Sequence, residues 1–425
     1  MPSLAIIGTG IAGLGCAHFL ARHFDVTLYE QNNYPGGHTN TVTLDEAGKE
    51  INVDTGFMVF NKVTYPNLTR LFKELKVATK PTSMSFSVQH TPTGLEYSGS
   101  SFLHLFAQPK NFFSGRHWKM ILQINRFNRE AVESLDDPKV AGQTLGQYVR
   151  QRGYGEDFYN LYLVPMSSAV WSTPPESMNE FPAITLLRFF HNHGFLGLHT
   201  QHPWLTVEGG AKNYVTKILA PLKDRVKLHH RVVRVQRLGD GVKVSTSDAK
   251  TQTFDQVILA CHADQALKMI VDPEDIEVKL LREFKYQTNT ALLHTDESVM
   301  PKSRRAWASW NYRIDRDAAG KIQPTTIYWM NRLQGVSERQ NYFVSLNGED
   351  RVAPGKLIKR MQYEHPLFNL DALRAQADLP KLNCHSTHQR LYFCGSYFKY
   401  GFHEDAFTSA LDVSRVILRQ ENLWR

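Results

Sequence analysis

The first thirty residues contain two short apolar runs separated by one segment with helical spacing. Residues 4–7 form an apolar run with a β-branched pair, residues 11–22 carry apolar positions at helical spacing, and residues 26–29 form a second apolar run that stops at Glu30. Short apolar runs bounded by turn residues are typical of buried strands. The pattern therefore predicts a β-strand, a helix and a second strand parallel to the first.

A glycine-rich turn joins the first predicted strand to the helix. It reads Gly-Thr-Gly-Ile-Ala-Gly from Gly8 to Gly13. In such a pattern the first glycine permits the tight turn, the second lets a pyrophosphate approach the backbone, and the third lets the helix lie close to the sheet. The helix N-terminus offers N–H groups to the phosphates, and an acid at the end of the second strand accepts ribose hydroxyls. The residues predicted to contact the dinucleotide here are Gly8, Gly10, Ile11, Ala12, Gly13, Glu30 and Gln31.

A glycine pair, Gly36-Gly37, follows Glu30 and narrows the choice of cofactor. In many FAD enzymes such a pair passes under the pyrophosphate, whereas NAD dehydrogenases usually place a crossover helix there. This feature resembles the amine oxidase and phytoene desaturase superfamily of flavoproteins. It predicts FAD as the cofactor, in contact with Gly36, Gly37, His38 and Thr39. A plain surface turn is the alternative interpretation of the pair.

Further segments are expected on the cofactor side of the molecule. A hairpin is predicted over residues 41–53, and it leads to Gly56, Phe57 and Met58. In the superfamily this position lies beside the flavin ring, so these three residues are expected there. Val233, on a strand predicted over residues 226–234, is expected to contact the adenine. Cys261 is expected beside the cofactor because it ends a buried-type strand predicted over residues 254–261.

The C-terminal forty residues predict a second contact with the flavin. A strand over residues 391–396 is followed by an aromatic segment and a helix from about residue 407 to residue 420. In the superfamily the helix N-terminus at this place stabilises negative charge at the pyrimidine end of the ring. An ordinary acidic helix start explains part of the segment as well. The expected contacts are Gly395, Ser396, His403, Glu404, Asp405 and Ala406.

Composition narrows the class of protein. The chain has 425 residues, of which 42% are hydrophobic and 21% charged, and its net charge is +8. This length predicts two domains. We expect a discontinuous FAD-binding domain at 1–80, 205–265 and 385–425, and a substrate-binding domain at 81–204 and 266–384. The four cysteines show no Cys-x-x-Cys spacing, which fits a reducing cytoplasm. No run of about 18 apolar residues is present, so no membrane-spanning helix is expected.

A basic and aromatic stretch contains no acid between Glu96 and Glu130. This combination fits peripheral contact with anionic lipid headgroups, such as those of the inner membrane face. An amphipathic helix pair with a solvated basic face explains it as well. No nucleic acid partner is expected because no recognition motif accompanies the charge. The cations and apolar residues concerned are Lys110, Phe112, Phe113, Arg116, Trp118, Lys119, Ile121, Leu122, Arg126, Phe127 and Arg129.

Two other groups of residues have more than one interpretation. His191 and His193 lack a third ligand at useful spacing, so we expect a helix end that lines a pocket or packs, and no metal site. A set of aromatic residues on predicted strands either lines a hydrophobic tunnel or fills a sheet face. That set is Trp307, Trp310, Tyr312, Tyr328 and Trp329.

Six segments together resemble one specific family, at residues 36–42, 56–61, 64–67, 84–88, 204–207 and 400–405. Its members are bacterial FAD-binding proteins found with cyclopropane-type fatty acid methyltransferases, and they are similar to the N-terminal flavoprotein domain of plant cyclopropane fatty acid synthases. One member type is a desaturase of methyl-branched phospholipid acyl chains in furan fatty acid synthesis. The resemblance implies an α/β fold with an FAD-binding Rossmann-like (GR2-type) domain interleaved with an α+β substrate domain.

Three positions depart from the patterns of related flavoproteins. His38 stands where true amine oxidases have an arginine, and Gly395-Ser396 stands where they have Gly-Glu. Both departures weaken an amine oxidase interpretation. Ala406 replaces the glycine that commonly follows His-Glu-Asp in the family.

The predicted function is FAD-dependent dehydrogenation of a long apolar lipid acyl chain. A hydride passes to the flavin and a proton to a protein base, and oxygen or another acceptor reoxidises the flavin. His403 is the predicted catalytic residue, oriented by Glu404, and Tyr400 is the alternative. Two other hypotheses remain open: a flavin oxidase of amines or porphyrinogens, and a non-catalytic flavin module that binds a lipid methyltransferase partner.

Overall fold

The structure is a computed structural model that describes residues 1–197, 200–384 and 390–423. Its strands, in chain order, are β1 (Ser3–Ile7), β2 (Asp25–Tyr29), β3 (Thr41–Glu46), β4 (Lys49–Asp54), β5 (Phe60–Asn61), β6 (Thr79–Thr82), β7 (Phe86–His90), β8 (Leu95–Ser98), β9 (Trp204–Val207), β10 (Val226–Lys227), β11 (Val232–Arg237), β12 (Val242–Thr246), β13 (Thr251–Phe254), β14 (Gln256–Leu259), β15 (Lys285–His294), β16 (Trp310–Arg316), β17 (Ile322–Trp329), β18 (Phe343–Leu346), β19 (Leu357–Leu367) and β20 (Leu391–Phe393).

Helices fill most of the connections between these strands. They are α1 (Ile11–Leu20), α2 (Pro66–Glu74), α3 (Phe102–Leu105), α4 (Gly115–Glu133), α5 (Leu145–Gln151), α6 (Glu156–Phe158), α7 (Val164–Trp171), α8 (Ala183–Asn192), α9 (Lys212–Leu219), α10 (Ala263–Met269), α11 (Asp275–Leu281), α12 (Met330–Gln334), α13 (Leu370–Asp378) and α14 (His403–Gln420). No helix in the described ranges has both the length and the apolar character needed to cross a membrane.

A five-stranded parallel sheet carries the glycine-rich turn. Its strand order is β10-β2-β1-β14-β20, so strands from three distant stretches of chain lie side by side. The register pairs Leu4 with Gln256 and Val257 with Leu391. Leu4, Ala5 and Ile6 are fully buried because the sheet is covered on both faces, as parallel sheets generally are. The predicted α/β class is confirmed, as is the opening strand, helix and parallel strand.

The second large sheet is mixed and has seven strands in the order β19-β15-β18-β17-β16-β7-β8. β16 pairs parallel with β7, and the other neighbours are antiparallel. Its strands come from residues 86–98 and 285–367, which fall inside the predicted substrate-binding stretches. The exact domain limits stay a prediction, and the one at residue 385 lies outside the described residues.

One local prediction was wrong. The single strand expected over 226–234 is two short strands in different sheets, because His229 adopts a left-handed φ of 59° and its N–H bonds to Asn32 O at 3.0 Å.

Helical structure continues through Pro165, although proline usually breaks a helix. A π-helical turn, Tyr159–Leu163, precedes it, and Val164 N–H bonds back to Tyr159 O. Pro165 then lies in the first turn of α7, where its missing N–H interrupts no bond.

Candidate functional site

Three glycines shape the turn between β1 and α1. Gly8 has φ 102°, and a Cβ there would lie 2.5 Å from Ala260 O. A Cβ on Gly13 would lie 1.9 Å from Gly8 O, so the helix approaches the turn too closely for any side chain. At Gly10, by contrast, an added Cβ meets no atom within 4 Å. The turn is therefore tightly packed on its inner side and open above Gly10, at the N-terminus of α1.

The glycine pair lies against this open turn. Gly36 donates its N–H to Thr9 O at 3.1 Å, and a Cβ on Gly37 would stand 3.2 Å from the Cα of Gly10. Both glycines have positive φ, 118° and 57°, which few residues with a side chain adopt. Two segments of bare backbone thus enclose one space beside a helix N-terminus. That geometry suits a pyrophosphate, which needs close backbone approach and N–H donors.

Glu30 lies at the carboxyl end of β2 and is only 5% exposed. Its Oε2 accepts the Thr9 N–H at 3.1 Å and the Thr9 hydroxyl at 2.5 Å. Its Oε1 accepts the backbone and side-chain N–H groups of Asn32, both at 2.9 Å. Four donors occupy the acceptor positions of the carboxylate. Ribose hydroxyls at this end of the strand would compete with the Thr9 hydroxyl and the Asn32 amide.

The other residues predicted on the dinucleotide side differ in placement. Gln31 is exposed, and Val233 on β11 is 38% exposed, so neither is packed by the protein itself. Ile11 and Ala12 are buried in the first turn of α1. Cys261 follows β14, and its carbonyl oxygen lies 3.4 Å from where a Cβ on Gly395 would stand. The contacts of these residues with a cofactor remain predictions.

His403 is held from two directions. Its imidazole stacks on the ring of Phe57, with centroids 3.8 Å apart and planes 10° apart. Its Nε2 lies 2.6 Å from the hydroxyl of Tyr214, which is itself 2.5 Å from Thr39 Oγ1. Burial, and then the neighbouring His38, lowers the pKa of His403 to about 3. The imidazole is consequently neutral across the physiological pH range.

Glu404 does not orient His403, contrary to the prediction from sequence. Its Oε1 and Oε2 accept the backbone N–H groups of Asn67 and Leu68, each at 2.9 Å, at the start of α2. Burial raises the pKa of Glu404, although these bonds oppose the shift. The carboxylate therefore caps another helix, and the partner of His403 is Tyr214, which the sequence did not single out.

The helix that carries these residues begins earlier than expected. α14 starts at His403 rather than near residue 407, so His403, Glu404 and Asp405 form its first turn. Asp405 accepts the Phe402 N–H at 3.0 Å, and burial raises its pKa to about 7. The predicted helix N-terminus at the end of the chain is thus present, with a carboxyl group buried inside it. Tyr400, the alternative catalytic residue, offers its carbonyl oxygen to Trp171 Nε1 at 3.1 Å.

A second histidine group comes from the substrate sheet. His38 lies with its ring centroid 4.9 Å from that of Tyr363 and 5.2 Å from that of His365, both on β19. Burial lowers the pKa of His38 to about 4 and that of His365 to about 3. Asn289 on β15 lies with Nδ2 2.9 Å from His365 Nδ1. Asn289 also lines a cavity of about 210 Å³, so the histidine pair is linked to a space on the substrate side.

Tyr363 and His365 were not among the residues predicted from the sequence. The sequence signal for these two residues is the alternation of apolar and polar residues along β19. Met361 and Tyr363 are buried in the structure, and Gln362 between them is exposed. That alternation predicts a strand with one inner face. It does not show that the inner face meets the Gly36-Gly37 loop, because the two segments are more than 320 residues apart.

An aromatic wall adjoins His403 through its neighbour Phe402. Phe189 stacks on Phe402 at 4.7 Å and on His193 at 3.8 Å. The remaining members of this wall are Trp171, Phe195 and Trp204. His193 bonds through Nδ1 to Phe189 O at 2.9 Å, and burial lowers its pKa to about 4. His193 is therefore a neutral part of the wall. The described part of the chain contains no group of three His, Cys, Asp or Glu residues arranged for a metal ion.

The remaining predicted ring contacts lie between these groups. A Cβ on Gly56 would stand 2.1 Å from His38 O, so only glycine fits there. Met58 is buried, and its carbonyl oxygen accepts the Thr206 hydroxyl at 2.8 Å. Gly395 donates its N–H to Ser409 Oγ at 2.9 Å, while Ser396 is half-buried and Ala406 buried.

The residues present fit a flavin dinucleotide. The open backbone above Gly10 suits a pyrophosphate, and the N-terminus of α14 suits the electron-rich end of a flavin ring. A ribose would bind Glu30 by displacing the Thr9 hydroxyl or the Asn32 amide. Such a cofactor accepts two electrons from a substrate C–H bond.

Comparisons with known proteins agree with this geometry. Residues 11–345 match the family model described as flavin containing amine oxidoreductase. Cyclohexylamine oxidase from Brevibacterium oxydans aligns over 100% of both chains at 14% identity and a TM-score of 0.68. A CLA-producing fatty acid isomerase from P. acnes aligns over 98% of both chains at 13% identity and a TM-score of 0.67. A putative protoporphyrinogen oxidase from Exiguobacterium aligns over 99% of both chains at 13% identity and a TM-score of 0.65. The chain belongs to the flavin-containing amine oxidoreductase family and is an FAD-dependent oxidoreductase.

Proposed function

We propose that the protein dehydrogenates a long apolar acyl chain, such as that of a methyl-branched phospholipid. The aromatic wall beside His403 carries this proposal. Trp171, Phe189, Phe195, Trp204 and Phe402 form a cluster of rings in mutual contact next to the first turn of α14. An extended hydrocarbon that packs against rings of this kind gains free energy, and apolar surroundings with few polar groups are typical for such a ligand.

The titratable groups of the site support an uncharged substrate segment. Burial lowers the pKa of His38, His193, His365 and His403 to between about 3 and about 4. All four imidazoles are therefore neutral at pH 7, and none of them supplies a fixed charge to pair with an ammonium or carboxylate group. A site whose histidines carry no charge suits an acyl chain.

The reaction removes two hydrogens from adjacent carbons. A flavin bound here would supply the hydride acceptor for one carbon, and a protein base would take the proton from the next carbon as the carbon–carbon double bond forms. His403 has its Nε2 bound to Tyr214, so we assign it a positioning role. His38 and His365, which lies on β19 of the substrate sheet, have their rings in contact and are unprotonated at neutral pH, so we assign proton acceptance to one of them.

The structural relatives include enzymes of more than one kind. The structural relative from P. acnes is named for action on a fatty acid, but at 13% identity it supports the fold alone. An amine or porphyrinogen oxidase remains the second hypothesis, since relatives of both kinds share the fold. A lipid methyltransferase partner stays a prediction from the sequence.

The test uses the purified FAD-loaded protein without oxygen. Phospholipid with methyl-branched acyl chains is expected to bleach the oxidised flavin band and to give a product two mass units lighter. Phospholipid with straight saturated chains serves as the control for the branch. A flavin that stays oxidised with these lipids but bleaches with amines or a porphyrinogen would replace the proposal with an oxidase. A flavin that none of them reduces, until a lipid methyltransferase is added, would support the non-catalytic module instead.

A further inference from the structure

Five large apolar side chains lie exposed within one short segment, which we call the apolar patch. They are Phe102 (57% exposed), Leu103 (78%), Phe112 (49%), Phe113 (86%) and Leu122 (65%). The other exposed large apolar residues in the described chain are scattered from Met1 to Leu423. Scattered exposure of this kind is normal, whereas a cluster marks a surface that contacts something apolar.

The patch is ordered by its own ring contacts. Trp118 on α4 has its ring centroid 6.2 Å from Phe102 and 5.8 Å from Phe112. Its indole Nε1 donates to Phe112 O at 2.8 Å, which ties α4 to the turn of 3₁₀ helix Pro109–Phe113. Phe106 is buried behind them, 5.0 Å from Trp118. The exposed side chains of the apolar patch are therefore held in place by contacts with Trp118 and, behind it, the buried Phe106.

Cations surround the patch. On α4, Lys119, Leu122 and Arg129 fall on the solvent face, while Met120 and Phe127 are buried on the opposite face. Lys110 lies beside Phe112 in the adjoining turn and is exposed. In the described ranges, neither Lys110, Lys119 nor Arg129 forms a salt bridge.

Two other basic residues of the same segment are already paired. Arg116 is bound by Asp157, and Arg126 by Glu130. Residues 97–129 contain no acid. The patch thus has three cations at its margin that form no salt bridge, and its own segment carries no negative charge. Lys119, after Arg116, also contributes to lowering the pKa of Asp157.

We propose that this surface docks the protein onto an anionic phospholipid membrane. Aromatic and leucine side chains enter the boundary between headgroups and acyl chains, and nearby lysines and arginines bind the anionic surface. A merely solvated basic face would explain the cations but not five exposed apolar side chains among them. The complementary charge of the lipid favours a membrane over an apolar protein partner.

The surface is connected to the site by one continuous stretch of helix. Asp157 pairs with Arg116 at its beginning, and Trp171 bonds to the Tyr400 carbonyl at its end. Fourteen residues at about 1.5 Å per residue separate the two ends by roughly 20 Å. Docking itself requires no particular reaction, so it can be tested without turnover.

The experiment measures co-sedimentation of the FAD-loaded protein with vesicles. Vesicles of phosphatidylcholine alone are compared with vesicles that also contain phosphatidylglycerol, at low and high salt. One variant carries Leu103→Ser and Phe113→Ser, and a second carries Lys110→Gln, Lys119→Gln and Arg129→Gln. The matched controls are Val271→Ser with Ile358→Ser, and Lys49→Gln with Lys223→Gln and Lys359→Gln, all exposed positions elsewhere.

The wild type is expected to bind the anionic vesicles and to release them in high salt. The apolar variant is expected to lose at least tenfold in partitioning. The charge variant is expected to lose roughly a hundredfold, because each cation near the surface contributes about as much as a fivefold change. Control variants should bind like the wild type. Absence of wild-type binding, or patch variants that bind as well as the controls, would overturn the proposal. Self-association that disappears in the apolar variant, without vesicle binding, would identify a second copy of the chain as the occupant instead.

Discussion

The imidazole of His403 lies flat on the ring of Phe57, with the centroids 3.8 Å apart. Its only described hydrogen-bond partner is the hydroxyl of Tyr214, which also meets Thr39 Oγ1. Residues from the glycine-pair loop, from α9 and from α14 thereby fix one another. The Tyr214 hydroxyl therefore links an N-terminal loop to the C-terminal helix α14, and Tyr214 is the residue to substitute.

Replacing Tyr214 with phenylalanine is expected to lower the free energy of unfolding by about 1–3 kcal/mol, because two buried partners lose their hydrogen bond. Urea unfolding of the apoprotein measures the loss. Tyr397→Phe is the matched control, since the Tyr397 hydroxyl is buried without a partner among the described residues. We expect that control to change stability by less than about 0.5 kcal/mol. Equal losses in both variants would contradict the role of the Tyr214 bond.

Glu404 is expected to matter for stability rather than for chemistry. Glu404→Ala leaves the N–H groups of Asn67 and Leu68 without their acceptor and should cost about 1–2 kcal/mol, as the loss of a helix cap does. Glu404→Gln keeps one acceptor oxygen and should cost less. Flavin reduction per bound FAD should be unchanged in the glutamine variant. A glutamine variant of normal stability that no longer reduces its flavin would restore Glu404 to the catalytic residues.

Gly10 and Gly13 should respond differently to alanine. Gly13→Ala places a Cβ 1.9 Å from Gly8 O and is expected to destabilise the apoprotein strongly. Gly10→Ala places a Cβ in open space and should leave the apoprotein unchanged while weakening FAD binding at least tenfold. Thermal unfolding of the apoproteins and titration with FAD separate the two effects. Normal FAD affinity in Gly10→Ala would show that the pyrophosphate does not lie above this residue.

Asp405 predicts a pH dependence of stability. Its pKa is raised from 3.8 to about 7 by burial, so the folded protein keeps a proton that the unfolded chain has already lost. Stability from this group therefore falls as the pH rises from about 4 to about 7, by up to about 4 kcal/mol. Asp405→Asn should remove that fall, so its advantage over the wild type grows between pH 5 and pH 8.

Urea unfolding of the apoproteins across this pH range measures the effect. Asp412→Asn, an exposed change on the same helix, is the control and should show no such growth. A constant difference between Asp405→Asn and the wild type at every pH would refute the assignment.

Local pattern was sufficient for the opening of the fold. The strand, glycine turn and helix from β1 to β2 are specified by neighbours in sequence, and so are the β3–β4 hairpin and α2. Spacing alone therefore predicted the elements that carry Gly8, Gly10 and Glu30. The sequence predicted the start of α14 a few residues too late. The first turn of that helix, from His403, is acidic and aromatic and lacks the helical spacing of apolar residues.

The other half of the site depends on contacts that no local pattern encodes. Tyr214 on α9 reaches His403 on α14, and His365 on β19 reaches His38 in the glycine-pair loop, only through tertiary packing, which local sequence does not show. The role expected for Glu404 failed for the same reason, since its partner is the start of α2, more than 330 residues away. The break at His229 depends on a bond to Asn32, which is 197 residues away in sequence.

The order of strands in the parallel sheet has a consequence for biosynthesis. The central strand β1 pairs with β14, which follows it by about 250 residues in sequence. β14 in turn pairs with the edge strand β20, which follows by about another 130 residues. Long loops must close before these pairings form, which slows folding. The first strand and the glycine turn are synthesised before α14, and they cannot form a complete nucleotide site until α14 has been made. Assembly of the cofactor site therefore comes late in folding, and the incomplete sheet exposes unpaired strand edges until then, which favours aggregation.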